Sequence, residues 1–288
     1  MKSVAIYYFS GTGNTSIVAD MIKDELSKYQ YEVDLIRIED VLKNNLKPDL
    51  EKYDFVALGS PVIAFGAPKI MLDFIRILPG RTGKKVVIFR TAGGVVPTNY
   101  NSSKAIMRRL NRKGFDVTYE RIFSIGSNWV VKFSNDVVQQ LYKATRDKVS
   151  IMCKEILSGE RRILKTGIGL KIAMESVAFI STWALRLVGK DYYVNKSCTH
   201  CGLCIKNCPS NNIHKRNEKI KFGLSCNCCM RCVYSCPQNA IKFRLLTFFP
   251  VKGGYDVKKT LSQKCICDES KDGVTPPFFN DYIKNDAL

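Results

Sequence analysis

Histidine is almost absent from this chain. Of 288 residues only His200 and His214 are histidine. Neither lies near a glycine-rich loop, so the commonest general acid and base cannot be named at any such loop. Neither has ligand spacing of its own, and both are expected to face solvent or to flank the cysteines beside them. Acid is scarce too: 26 Asp and Glu stand against 45 Lys and Arg, a formal net charge of +19 at pH 7. The basic residues are scattered, with no recognised binding module, which argues against nucleic acid. They suit a solvated surface that steers an acidic partner, with contact to an anionic membrane surface as a further option. No long uncharged apolar run opens the chain. Val4–Phe9 is too short for a signal h-region and Ser10-Gly11-Thr12-Gly13 is no cleavage site, so a buried first strand and a cytoplasmic setting are expected. The apolar share of 45% and charged share of 25% are those of a soluble globular protein.

Cysteine, by contrast, is plentiful, with twelve copies. Cys198, Cys201, Cys204 and Cys208 are followed by Pro209, and Cys226, Cys229, Cys232 and Cys236 by Pro237. Both runs read C-x2-C-x2-C-x3-C-P, and the second begins 28 residues after the first; Ile213 and Ile241 keep the same offset. Such an internal repeat implies a duplicated half-domain. The spacing is the ligand run of [4Fe–4S] clusters, in which the fourth cysteine crosses to the other cluster. Crossover predicts one cluster on Cys198, Cys201, Cys204 and Cys236 and the other on Cys226, Cys229, Cys232 and Cys208. Zinc sites typically separate two C-x2-C arms by a longer spacer, and disulfides need an oxidising compartment, so both fit less well. Cys153, Cys228, Cys265 and Cys267 are left over and are expected to be free thiols. Cys228, beside Cys229, blurs the ligand assignment, and a third metal site from Cys228, Cys265 and Cys267 is the alternative. Residues 195–245 resemble bacterial two-cluster ferredoxins.

The first half alternates strand and helix. Ser3–Phe9 reads as a strand, Ser10-Gly11-Thr12-Gly13-Asn14-Thr15 as a tight loop, and Ile17, Val18, Met21, Ile22 and Leu26 as one helical face. A glycine-rich turn entering a helix is an anion site, because backbone N–H groups and the helix dipole converge there. The loop has no lysine and no third glycine, so it is neither a nucleotide-triphosphate loop nor a dinucleotide fingerprint. Further strands are expected at Tyr31–Ile38, Phe55–Gly59, Lys85–Arg90 and within Phe115–Ile125, with helices at 67–78, 101–112 and 134–158. The loop fits [ST]-x-T-G-x-T, and residues 1–160 resemble flavodoxins, whose loop of this form binds the FMN phosphate. That resemblance implies a doubly wound parallel sheet in the order 2-1-3-4-5, with FMN at the carboxyl ends of its strands. Three loops lie there, at 10–15, 60–66 and 91–97. The implied FMN residues are Ser10, Gly11, Thr12, Gly13, Asn14 and Thr15 in the first, Ser60, Pro61, Val62 and Phe65 in the second, and Thr91, Ala92, Gly93 and Gly94 in the third. Ile63 stands where tyrosine is common in related fusion proteins. Asn128 and Trp129 follow the fifth strand, placed to approach the site, and core packing is the stronger expectation for Trp129.

Residues 161–194 join the halves. Within them 168–188 is apolar enough for a membrane helix, but Lys171, Glu175 and Arg186 fall on one stripe and are costly inside a bilayer. The wide apolar arc that remains suits a helix packed between two domains, with a helix lying on a membrane surface as the alternative. The tail, 246–288, is expected to wrap the domains or lie partly loose. A flavodoxin-like α/β half followed by a small α+β two-cluster half resembles the flavodoxin–ferredoxin fusion proteins of anaerobes. That resemblance implies an FMN-dependent oxidoreductase passing electrons between a soluble, acidic, low-potential carrier (a ferredoxin or flavodoxin), the clusters, FMN and a small acceptor. A non-catalytic carrier and a redox sensor are the alternatives.

Overall fold

A computed structural model of the chain describes residues 2–80, 83–263 and 273–285. The first half runs β1 (Lys2–Tyr8), α1 (Asn14–Ser27), β2 (Tyr31–Arg37), α2 (Ile38–Lys43), β3 (Phe55–Pro61), α3 (Lys69–Ile77), β4 (Lys85–Thr91), α4 (Pro97–Tyr100), α5 (Lys104–Arg112), β5 (Asp116–Phe123) and α6 (Asn135–Leu157). The strands pair in parallel in the order β2-β1-β3-β4-β5, the doubly wound order expected from sequence. β3 shows why. Phe55 to Ser60 are buried without alternation, as a central parallel strand covered by helices on both faces requires. One apolar layer joins Ile6, Phe89 and Phe123 to α1 and α6; the other joins Leu58 and Ile88 to α3 and α5. β2 stops at Arg37, one residue short of expectation, because Ile38 begins α2 with Glu39 and Asp40 in its first turn, where carboxylates suit the helix dipole.

The cysteine-rich unit contains β6 (after α7, Ile168–Asp191) at Tyr192–Val194, then α8 (Leu203–Asn207), β7 (Ile213–Arg216), β8 (Lys219–Phe222), α9 (Arg231–Tyr234) and β9 (Ile241–Phe243). β6 pairs antiparallel with β9 and β7 with β8. Val194 faces Ile241, and Phe222 faces Ile213; adding 28 to the first residue and subtracting it from the second turns one pair into the other. Left-handed backbone recurs at the same offset, at His200 and Cys228, Gly202 and Met230, Asn211 and Asn239. The sequence repeat is therefore a pseudo-two-fold in three dimensions. Its small core gathers Tyr192, Phe222, Val233, Ile241 and Phe243.

One expectation changes. α7 does not lie packed between the halves. None of its most apolar stretch is buried, and Ile172, Phe179, Ile180 and Leu187 are exposed. Lys171, Glu175 and Arg186 turn partly inward instead. The reason is the surface beneath: Glu175 forms an ion pair with Arg108 of α5, and Gly66 approaches Ala178. The tail, expected either to wrap the domains or to lie partly loose, wraps in its described part. α10 (Val257–Ser262) and α11 (Phe279–Lys284) pack on α6, and Tyr282 is fully buried, bonded to Thr145 Oγ1 at 2.8 Å. Cys265 and Cys267 lie outside the described residues, and with them the proposed third metal site.

Candidate functional site

The loops at the carboxyl ends of β1, β3, β4 and β5 line a cleft. Ser10, Gly11, Thr12, Asn14 and Thr15 form one wall, Pro61, Val62 and Ile63 a second, and Thr91, Ala92 and Gly93 a third. Gly13, Ser60, Phe65 and Gly94 do not line it. Gly13 instead caps α1 at φ 109°, and its N–H donates to Ser10 Oγ at 3.2 Å. Phe65 sits in left-handed backbone at 38% exposure, and Ile63 takes the cleft position. Ser60 Oγ is buried without a hydrogen-bond partner. Among the described residues no ionised side chain lines the cleft, so its recognition chemistry is hydroxyl, amide and backbone N–H. With no carboxylate in the first turn of α1, the helix N-terminus is free to favour an anion.

The loop is cross-tied. Thr15 Oγ1 and Thr91 Oγ1 are 2.7 Å apart, Asn14 Nδ2 donates to the Gly126 carbonyl at 3.0 Å, and Asn128 Nδ2 donates to Thr12 Oγ1 at 2.8 Å. The fourth wall, Gly126, Ser127, Asn128 and Trp129, includes a tryptophan that also packs on the core of the cysteine-rich unit, the role expected for it. Phe249 packs on it at 5.0 Å. The tail contributes directly. Tyr255 OH donates to Asn14 Oδ1 at 2.6 Å, and burial raises its pKa. Sequence reasoning missed Tyr255 because nothing local marks a residue 241 positions from its partner. Behind the third loop lies a buried ion pair, Arg90 with Glu120 at 3.1 Å. Arg90 also donates to the Asn99 carbonyl, and Glu120 accepts from Ser103 Oγ and the Leu164 N–H. Burial lowers the Arg90 pKa to about 10, against the opposing pull of Glu120.

The cysteines form two groups. A second cavity is lined by Cys198, Cys201, Cys204 and Cys236, without Cys208. Cys208 is felt instead by Cys226 and Cys232: burial first, then neighbouring thiols that include Cys229 and Cys208, raise both pKa values, that of Cys226 to about 12. Four backbone N–H groups donate to sulfur, and they also follow the repeat: His200 to Cys198 at 3.4 Å, Cys228 to Cys226 at 3.3 Å, Asn212 to Cys208 at 3.2 Å and Ala240 to Cys236 at 3.3 Å. Cys228 thus holds the position of His200, as a backbone donor with a buried side chain. Cys153 is fully buried and its thiol is pushed up to about 12, which suits an inert core residue. Among the described residues no three His, Cys, Asp or Glu converge closely enough to hold a single metal ion.

The two regions share a wall. Cys228 and Cys229 line the loop cleft. A Cβ on Gly11 would stand 2.4 Å from the Cys229 carbonyl oxygen, so glycine is what permits this approach. Arg231 closes the seam: its guanidinium donates to the carbonyls of Ser10, Gly11 and Asn207 and pairs with Glu39 at 2.7 Å.

Residues 5–114 match the family described as flavodoxin domain. Over 66 residues the chain is 39% identical to a flavodoxin of Haemophilus influenzae, and 38% identical to flavodoxin 1 of Escherichia coli, covering 23% of this chain and 34% of each relative. It thus spans about a third of the length of these curated relatives. Residues 5–114 are a flavodoxin-like domain. Among solved structures, oxidised flavodoxin 2 from Bacillus cereus is 21% identical, covering 54% of this chain and 98% of that one at a TM-score of 0.41. A putative quinone reductase from Klebsiella pneumoniae is 12% identical, covering 56% and 87% at a TM-score of 0.40.

Proposed function

We propose that the chain is an electron-transfer iron–sulfur flavoprotein, an FMN-dependent reductase fed through two [4Fe–4S] clusters. The observation that carries this reading is the shared wall: Cys228 and Cys229 of the second cysteine run line the same cleft as the Ser10–Thr15 loop. FMN fits that cleft. Ser10, Thr12, Asn14 and Thr15, with the backbone at the start of α1, would take its phosphate, while Val62, Ile63 and Trp129 offer apolar surface to its ring. The clusters fit the two cysteine groups. The cavity lined by Cys198, Cys201, Cys204 and Cys236 is the crossover set, and the electrostatic neighbours Cys226, Cys229, Cys232 and Cys208 are its counterpart. The N–H donors to sulfur stabilise negative charge on Cys198, Cys208, Cys226 and Cys236 and so influence potential. When bound, the clusters supply one-electron transfer and FMN converts between one- and two-electron chemistry.

This chain's own residues order the route. The second group lies at the cleft, so Cys226, Cys229, Cys232 and Cys208 would hold the flavin-proximal cluster and Cys198, Cys201, Cys204 and Cys236 the distal one. An external carrier, acidic to complement the charge of +19, would deliver electrons at the distal side. Anaerobically purified protein is expected to hold about eight iron and eight sulfide per chain, with a single FMN. Iron near half that value together with tightly bound zinc rejects the clusters, and flavin-free protein that does not take up FMN rejects the cleft assignment.

A second reading has its own support. With no ionised side chain on the cleft wall among the described residues, no group there is poised to hand a proton to an acceptor, as a pure carrier would have it. Turnover separates the two. A reductase oxidises its flavin repeatedly on small acceptors, whereas a carrier is re-oxidised only by redox proteins.

A further inference from the structure

Exposed apolar surface concentrates on α7. Ile168, Ile172, Val177, Phe179, Ile180 and Leu187 are exposed, Ile168 and Phe179 by 78% and 69%. They are six of the eighteen exposed large apolar side chains among the described residues, on a single helix. At 3.6 residues per turn they share one half of the circumference. Every exposed residue described between Ile168 and Leu187 is uncharged, and Gly169, Ala173, Ser176 and Ala184 fill the gaps. The helix is therefore amphipathic in the reverse of the usual sense for a domain surface: charge toward the protein, apolar side chains toward the outside.

The surroundings carry the opposite kind of chemistry. Exposed Lys165 and Lys190 bound the arc at its two ends, and the 24-residue helix is about 36 Å long. Beyond Lys190 a groove is lined by Lys190, Lys196, Lys219, Lys221 and Arg244, and no carboxylate lines it. An apolar strip with cations at its ends matches an anionic lipid surface, whose acyl boundary takes the strip and whose headgroups take the lysines.

We propose that α7 is an in-plane anchor that docks this protein on an anionic bilayer. Spanning is disfavoured because it would carry Lys171, Glu175 and Arg186 into lipid and part Glu175 from Arg108. A second copy of the chain would cover the arc, but it would bring together two bodies each of formal charge +19, which repel. An acidic protein would satisfy the groove and leave the apolar arc in water.

The test is flotation of the full, anaerobically purified chain with vesicles of phosphatidylcholine alone or mixed with phosphatidylglycerol. The chain is expected to float with the mixed vesicles and progressively less as salt rises. A Phe179→Ser/Ile180→Ser variant, altered only at exposed positions, should partition on the order of tenfold more weakly or worse, from the apolar area lost. A Lys219→Glu/Lys221→Glu variant should lose much of the preference for phosphatidylglycerol. Unchanged FMN content and elution volume in both variants show that they fold. Parent protein that stays at the bottom with anionic vesicles overturns the proposal. If that parent is also a dimer that Phe179→Ser/Ile180→Ser splits, the arc belongs to a second copy; if it binds an acidic redox protein through the groove, the cations belong to that partner.

Discussion

At the scale of single residues, the crossover makes the sharpest prediction. Cys208 closes the first run in sequence but is an electrostatic neighbour of Cys226 and Cys232. Cys208→Ala should therefore remove the cluster held with Cys226, Cys229 and Cys232 and leave the other, measured as about half the iron and one surviving set of paramagnetic signals in the reduced protein. Loss of the cluster held by Cys198, Cys201 and Cys204 instead would sink the crossover. Cys228→Ser should keep both, since Cys228 contributes its backbone N–H to Cys226. Gly11 tests the seam. A methyl there meets a backbone oxygen at 2.4 Å, which no rotamer change relieves. Overpacking of this kind costs about 1–3 kcal/mol, so Gly11→Ala should weaken FMN binding on the order of tenfold or more while iron content stays the same. Undiminished FMN affinity in that variant would mean that the loop and the Cys229 backbone do not touch.

At the scale of elements, Arg90 and Glu120 hold the third loop from behind. Both are 1% exposed, and their partners include the Asn99 carbonyl, Ser103 and the Leu164 N–H. Removing one member of a buried, bonded pair costs about 3–5 kcal/mol because the other is left uncompensated. Glu120→Ala should lower the denaturant midpoint accordingly, with a larger loss than for Asp116→Ala, whose pairing with Arg161 is on the surface. Elements were also where sequence reading succeeded and failed most plainly. The five strands and α1, α3, α5 and α6 were legible because β-run and helical period are local signals, and β1–loop–α1 announces itself through Gly11 and Gly13; the short α2 was not. The same period found the apolar arc of α7 but could not say which way it faces. That depends on Arg108, 67 residues away from Glu175, and no local pattern encodes it. Trp129 packs against the core of the cysteine-rich unit, as expected, while its further place on the cleft wall rests on Phe249, far along the chain.

At the scale of the whole molecule, the two halves were legible separately and their seam was not. The cysteine repeat is a fixed-offset signal, and it reappears as paired registers, left-handed residues and N–H donors to sulfur. Arg231, one of the intervening positions of the second run, carried no such signal. It joins three carbonyls and a carboxylate from both halves: Ser10, Gly11, Asn207 and Glu39. A hydrogen bond from a charged donor contributes about 1.5–3 kcal/mol, so this one side chain holds enough free energy to decide whether the halves unfold together. In the wild type, heating followed by FMN fluorescence and by cluster absorbance should give one coincident transition, the mark of a cooperative unit. In Arg231→Met the two signals should separate. The flavin should leave first, because Ser10 and Gly11 lose the donor that fixes their carbonyls, while Cys226, Cys229 and Cys232 keep their own core around Tyr192 and Phe222. Coincident transitions in Arg231→Met would place the coupling instead in the backbone contact of Gly11 with Cys229, and Gly11→Ala would then be the variant that uncouples the signals.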